Sequence, residues 1–313
     1  MLAIANLAAC IDNHDDFVAQ ETVPMLVSFS NSADPEMRNF AAFAVVELSR
    51  NADMMEIVTD EGGLEPVLYL ARSDDRRVQR QVLPALTTLS FVDRNKAAIC
   101  ADGALPSIAD LIPEGRGSAE ESRLACCAVA NLVEAAGNLP RVVDHGCVPL
   151  LAAALDSASE PIQREAARAL GNLAVNLDYG DLVRRHGAAR RLVACFRNRH
   201  CECQRMAAMA LSNLSANLHA HAELLEQGLL GLVEAECRAS LDPKRFSDHE
   251  TARFCILIVC NMTGSRENHS RMGVFFGKHL VVHRRIVILW HVQSPLTYFA
   301  EISRHFDGFH PTP

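Results

Sequence analysis

Gly146-Cys147-Val148-Pro149-Leu150-Leu151, then Ile162-Gln163, then Ala169-Leu170-Gly171-Asn172-Leu173 decide how this chain folds, because the same beat recurs along it. The last element, an Ala and an aliphatic residue followed by x-Asn-Leu, ends at Leu7, Leu48, Leu89, Leu132, Leu173, Leu214 and, more loosely, Met262, with Glu47 and Thr88 in place of the Asn in two copies. The spacings are 41, 41, 43, 41, 41 and 48 residues. A second landmark keeps the same phase: Val23-Pro24, Glu65-Pro66, Leu105-Pro106 and Val148-Pro149, with weaker copies around Gly187 and Gly228. Two landmarks in phase at a period of this length are the signature of a stacked-repeat protein, in which each unit buries its apolar face only against its neighbours.

Within one unit, the segment Glu160 to Asn176 carries Ile162, Ala166, Ala169, Leu170 and Leu173 at i, i+4, i+7, i+8 and i+11, the apolar stripe of a long buried helix. Before it the pattern predicts a short helix at Pro140–His145, a Gly-Cys-Val-Pro turn, and a second apolar helix at Leu150–Leu155 closed by Asp156-Ser157. Three helices per unit of this length give an all-α solenoid of about six complete units and a partial one at the N-terminal end.

Composition agrees with that reading. Of the 313 residues, 49% are hydrophobic and only 5% aromatic, so Ala, Leu, Val and Ile fill a core of closely packed helices. A net charge of −8 supplies none of the basicity that phosphate binding requires, and three Tyr and one Trp leave little for base stacking, so nucleic acid is not an expected partner. Eleven cysteines lie at apolar helical positions without disulfide-scaffold spacing, which fits a reducing compartment. No apolar run is long enough for membrane insertion. These features place the protein in the cytoplasm, with the nucleus and a peripheral membrane site left open.

The residues that carry the beat resemble the armadillo consensus. Gly62-Gly63-Leu64-Glu65-Pro66 and Val78-Gln79-Arg80 in particular are similar to the vacuolar armadillo adaptors and their plant and protist relatives. The resemblance covers residues 1–272. It implies a right-handed α-solenoid of armadillo repeats, whose third helices line a concave groove that holds extended peptides. The array starts in mid-repeat, since Ala3-Ile4-Ala5-Asn6-Leu7 is already the end of a third helix, so the chain is expected to be a fragment of a longer protein. Residues 273–313 read as a divergent tail outside the repeat, holding 7 of the 17 Phe, Tyr and Trp residues and five of the thirteen His. The insertions at Pro113–Ser118 and Ser240–Glu250 read as surface loops.

On each third helix, three positions at i, i+4 and i+8 form a strip that drifts only about 80° over two turns. In successive units it reads Asn39/Phe43/Glu47, Arg80/Pro84/Thr88, Arg123/Cys127/Asn131, Arg164/Arg168/Asn172, Arg205/Met209/Asn213 and Arg253/Leu257/Asn261. A carboxamide offers a donor and an acceptor, so Asn131, Asn172, Asn213 and Asn261 are suited to gripping a peptide backbone of any sequence. The resemblance assigns Asn at this position that task. If so, replacing Asn172 and Asn213 should cost binding and leave stability unmoved. The other reading makes each Asn a helix-end cap and each Arg a solvated residue bridged to Glu. Importin-α-like proteins place Trp four residues before the Asn to hold lysines. Phe43, Pro84, Cys127, Arg168, Met209 and Leu257 stand there instead. With Arg80, Arg123, Arg164, Arg168, Arg205 and Arg253 on the strip, acidic or phosphorylated segments are the expected partners.

Other constellations point to packing. His200-Cys201-Glu202-Cys203 with Cys195 has the ligand types for zinc, but Cys203 falls where other units place Val78 or Ile162, a core position. Cys126-Cys127 reads as helix packing. His14-Asp15-Asp16 and Ser247-Asp248-His249-Glu250 sit at helix starts, where Asp and Ser cap. No P-loop, G-x-S-x-G or H-E-x-x-H pattern occurs. The expected function is therefore a non-catalytic scaffold that binds other proteins, with no metal or cofactor. The alternative, a helical-repeat enzyme or lyase-like protein with a groove pocket, needs acids clustered at one groove position, and only Glu47 departs from the ladder that way.

Overall fold

The computed structural model describes residues 2–198, 201–240, 248–265 and 268, and among them every regular element is helical. The expected tail at 273–313, residues 241–247 of the second insertion and His200 lie outside the described residues. After the helix Leu2–Ala8, six units follow, each of two shorter helices and a long one. The fourth runs Leu139–Asp144, Cys147–Ala154 and Glu160–Leu173. The long third helices are Pro35–Ser49, Arg76–Leu89, Ala119–Leu132, Glu160–Leu173, Cys201–Ser215 and His249–Thr263, called spine helices below. Each packs directly on the next, which makes the chain an all-α solenoid.

Local chemistry sets the helix ends. Asp34, Asp75 and Asp248 accept from the N–H two residues on and start their spine helices, and Ser118 with Glu121 forms a reciprocal capping box. Asn51, Asn176 and Asn217, each three residues past an anchor leucine, start the next unit in the same way. Asp248 therefore is the helix cap that its position indicated.

The turn before the second helix is shorter than the sequence suggested. Only Gly146 forms it, and Cys147, Val148 and Pro149 are the first three helical residues. Pro is accommodated there because the first four N–H groups of a helix have no intrahelical partner. Pro24, Pro66 and Pro106 hold the same third place in Thr22–Phe29, Leu64–Ala71 and Ala104–Asp110. What persists in every unit is the left-handed residue before this helix. Gly62, Gly103, Gly146, Gly187 and Gly228 have φ between 70° and 86°, and Glu21, one period earlier, has φ 50°. The units at Gly187 and Gly228, which lose the Pro, thus keep the turn.

The spine helix of the fourth unit ends at Leu173, not Asn176, because Asn176 already caps the next helix. Its predicted stripe, Ile162, Ala166, Ala169, Leu170 and Leu173, is fully buried. The anchor residues Leu48, Leu89, Leu132, Leu173, Leu214 and Met262 are buried too, whereas Leu7, on the end helix, is 54% exposed.

Candidate functional site

The Asn residues of the strip occupy the C-terminal ends of the spine helices, where hydrogen bonding tightens from i+4 to i+3. In Glu160–Leu173 the Ala174 N–H bonds Leu170 O and the Val175 N–H bonds Asn172 O, so Gly171 O is passed over. In Ala119–Leu132 the passed-over acceptor is Ala130 O. The next unit's asparagine fills each gap: Asn172 Nδ2 donates to Ala130 O at 3.1 Å and Asn213 Nδ2 to Gly171 O at 2.9 Å. Asn261 Nδ2 donates to Ser212 O at 2.9 Å and to Ser215 Oγ at 3.0 Å. At Asn131 a serine intervenes. Ser90 Oγ donates to Thr87 O at 2.6 Å and accepts from Asn131 Nδ2 at 2.8 Å.

These side chains therefore staple neighbouring units, a task their spacing did not reveal. The helix-end reading of the asparagines holds for their donor side, except that the capped carbonyl belongs to the preceding unit. A carbonyl left without a donor at such a helix end costs about 1–3 kcal/mol. The expectation that Asn172 and Asn213 leave stability unmoved is corrected accordingly. Asn172, Asn213 and Asn261 stay half-buried, and no described residue donates to their Oδ1. Asn131 is 1% exposed, so the structure does not present it on the surface of the strip.

All six arginines are charge-paired. Arg123 forms two bonds to Glu120 at 2.8 and 2.6 Å, and these hold the Glu120 carboxyl below its ordinary range. Arg164 pairs with Glu165 at 2.9 Å and with Glu202, and Arg80 bonds the Arg116 carbonyl and faces Glu121 at 3.9 Å. Arg205 meets Asp248 at 2.6 Å and Arg253 meets Glu250 at 3.4 Å. Burial opposes ionisation of Asp248, yet the bonds from Arg205, Thr251 and the Glu250 N–H hold its carboxyl below the usual value. Arg168 bonds Glu165 at 3.0 Å, Glu134 at 3.3 Å and the Cys127 carbonyl at 3.3 Å. The strip is a chain of compensated pairs, not the open row of positive charge that the sequence suggested.

Sequence reasoning missed Glu134, Glu165 and Lys96. Glu165 is 8% exposed at its side chain between Arg164 and Arg168, and Lys96, 5% exposed, bridges Asp93 at 2.7 Å and Glu134 at 2.6 Å. Glu165 was visible as the acid beside two strip arginines. Nothing in the spacing placed Glu134 and Lys96 against them. Acids do gather here, but each is neutralised by Arg or Lys, unlike the mismatched pair that acid–base catalysis uses.

Cys203 is fully buried, as its core position required, and its thiol donates to Gln163 Oε1 at 3.7 Å. Cys195 is buried on the Leu155 carbonyl at 3.6 Å. Burial pushes the Cys127 thiol up to about 11, so it is not a thiolate at neutral pH. Among the described residues no group of three or more His, Cys, Asp or Glu is placed to hold a metal ion, and no helix is long and apolar enough to cross a membrane.

Residues 136–175, from the first helical turn of the fourth unit to just past its anchor, match the family profile of the Armadillo/beta-catenin-like repeat. The chain is an armadillo-repeat array. It is 26% identical over 179 residues to Vacuolar protein 8 of Schizosaccharomyces pombe, a match that covers 56% of this chain and 32% of that protein. The armadillo array thus spans about a third of the length of that relative. Among solved structures, an engineered protein superposes with a TM-score of 0.66 at 25% identity, covering 83% of this chain and 62% of the other. A computationally designed armadillo repeat protein for modular peptide recognition gives 0.63 at 20% identity over 76% of this chain and 99% of its own. A designed armadillo repeat protein in complex with the peptide (KR)4 gives 0.61 at 20%, over 76% and 98%. At 20% identity the last two show the shared fold alone.

Proposed function

We propose that this armadillo array is a non-catalytic scaffold or adaptor that holds extended segments of other proteins along its spine helices. One observation carries the reading: Asn172, Asn213 and Asn261 recur once per unit on one strip, half-buried, each with an Oδ1 that no described residue engages. The staple uses one N–H of the Asn172 and Asn213 carboxamides, whereas Asn261 donates to two acceptors. The remaining N–H of Asn172 and Asn213, and the Oδ1 of all three, suit a peptide backbone whatever its side chains. The designed relative that holds (KR)4 supports the idea that such a fold can present a peptide track, although its cargo is basic.

Acidic segments are the proposed preference. Glu120, Glu202 and Glu250 are exposed partners of Arg123, Arg164 and Arg253. Exposed pairs contribute only about 0–1 kcal/mol, so an incoming carboxylate can take the place of the protein's own. The proposed setting is the cytoplasm, with a peripheral position at the vacuolar membrane through partners, a reading supported by the likeness to Vacuolar protein 8. The test is fluorescence anisotropy of a short labelled peptide of alternating glutamate and alanine. Binding that weakens between low salt and about 0.5 M, where the screening length falls to a few ångströms, is the expected result. Affinity unchanged by salt, or no affinity, counts against it.

A further inference from the structure

The rung at Asn131 differs from the three that follow. Asn131 is buried, whereas Asn172, Asn213 and Asn261 are half-buried. Around it stands Arg168, whose Nη2 donates to the Cys127 carbonyl and whose Nη1 meets Glu134 Oε1, both at 3.3 Å. Cys127 lies one turn before Asn131 and Glu134 three residues after it, so the guanidinium joins positions on either side of Asn131 at this helix end. In the next two units Met209 and Leu257 occupy the position of Arg168, and neither can hold such a bridge. One side of the guanidinium is anchored by buried Glu165. The other rests on Glu134, which is 43% exposed.

We propose that the Arg168–Glu134 bridge is a gate over Asn131, opened when a carboxylate of the bound segment replaces Glu134 on Arg168, so that this rung selects an acidic side chain. The inference rests on the peptide-binding reading and deepens it. Exchange strands no charge. Glu134 keeps Lys96 at 2.6 Å, Glu165 keeps Arg164 at 2.9 Å, and Arg168 gains the ligand carboxylate. Asn131 Nδ2 stays on Ser90 while its Oδ1 becomes available to the peptide backbone.

The experiment titrates two labelled peptides, one alternating glutamate and alanine and one alternating glutamine and alanine, against wild type, Arg168→Met, Asn131→Ala and the double variant Asn172→Ala/Asn213→Ala. Helicity of each is checked by circular dichroism, and Met is the residue already present one unit on, at Met209. Wild type should prefer the glutamate peptide, and the Arg168 rung should supply about three- to tenfold of that preference, the range of one charge-assisted bond. Arg168→Met should cut that preference by this factor and leave the share owed to Arg123, Arg164 and Arg253, and Asn131→Ala should weaken the glutamate peptide while leaving the glutamine peptide unchanged. A preference undiminished by Arg168→Met, or equal weakening of both peptides by Asn131→Ala, overturns the gate. If in that case Asn172→Ala/Asn213→Ala still weakens both peptides, the gate alone has failed. Absence of binding by either peptide overturns the gate and the peptide-binding reading together.

Discussion

Replacing Asn172 and Asn213 by alanine should destabilise the array, because it strands Ala130 O and Gly171 O at the ends of two spine helices. Each stranded carbonyl costs about 1–3 kcal/mol. Alanine returns roughly 0.5 kcal/mol per site through its better helix propensity. The net loss is therefore about 1–5 kcal/mol for the pair. At about 2–4 °C per kcal/mol for a protein of this size, the midpoint followed by far-ultraviolet circular dichroism should fall by several degrees or more. The reverse change is available two units earlier. Pro35–Ser49 passes over Val46 O in the same way, and Thr88, which stands where the stapling Asn would be, instead donates to its own Pro84 O at 3.1 Å. Thr88→Asn should supply the missing bond and raise the midpoint by about 0.5–1.5 kcal/mol equivalent. A double alanine variant that melts with wild type, together with a Thr88→Asn variant that gains nothing, would refute the staple.

Three further outcomes follow from single sites. Gly146→Ala meets no atom within 4 Å, so its cost is the left-handed backbone alone, about 1–2 kcal/mol by urea denaturation, and a neutral result would deny that the turn is strained. Gly171→Ala brings a Cβ to 2.8 Å from Met209 Cε and 3.1 Å from Ala210 Cα, so overpacking should cost about 1–3 kcal/mol, and an unshifted midpoint would mean that the spine helices slide apart freely. Cys10 and Cys201 are the exposed thiols, so a colorimetric thiol reagent at pH 8 should show a fast phase from these two and a slow one from buried sites such as Cys126 and Cys147, the latter raised to about 12 by burial. Rapid reaction of all eleven would contradict the packed core.

The fold was legible because the repeat forces it: one buried stripe, from Ile162 to Leu173, recurs at a fixed period and has nowhere to go except against its neighbours. Element ends were less legible. Pro149 suggested a turn, yet it sits inside the first helical turn, where a missing N–H costs nothing. The candidate site was legible as a list of positions and not as a set of partners. Spacing put Arg168 and Asn131 on one strip, but only the packing of two units brings Arg168 against Cys127 and Glu134. Likewise the recurrence of Asn marked a role, while the acceptor it serves lies about one period away in sequence, beyond the reach of any local pattern.

The most direct test of the central claim is the affinity of the glutamate–alanine peptide for Asn172→Ala/Asn213→Ala, measured by anisotropy and expressed per folded molecule from the dichroism of the same sample. Four peptide hydrogen bonds at the low end of about 0.5 kcal/mol each predict a loss on the order of 30-fold beyond any loss of folded protein. Equal affinity per folded molecule, accompanied by the lower midpoint, would show that these asparagines only staple the array and that the peptide-binding surface lies elsewhere.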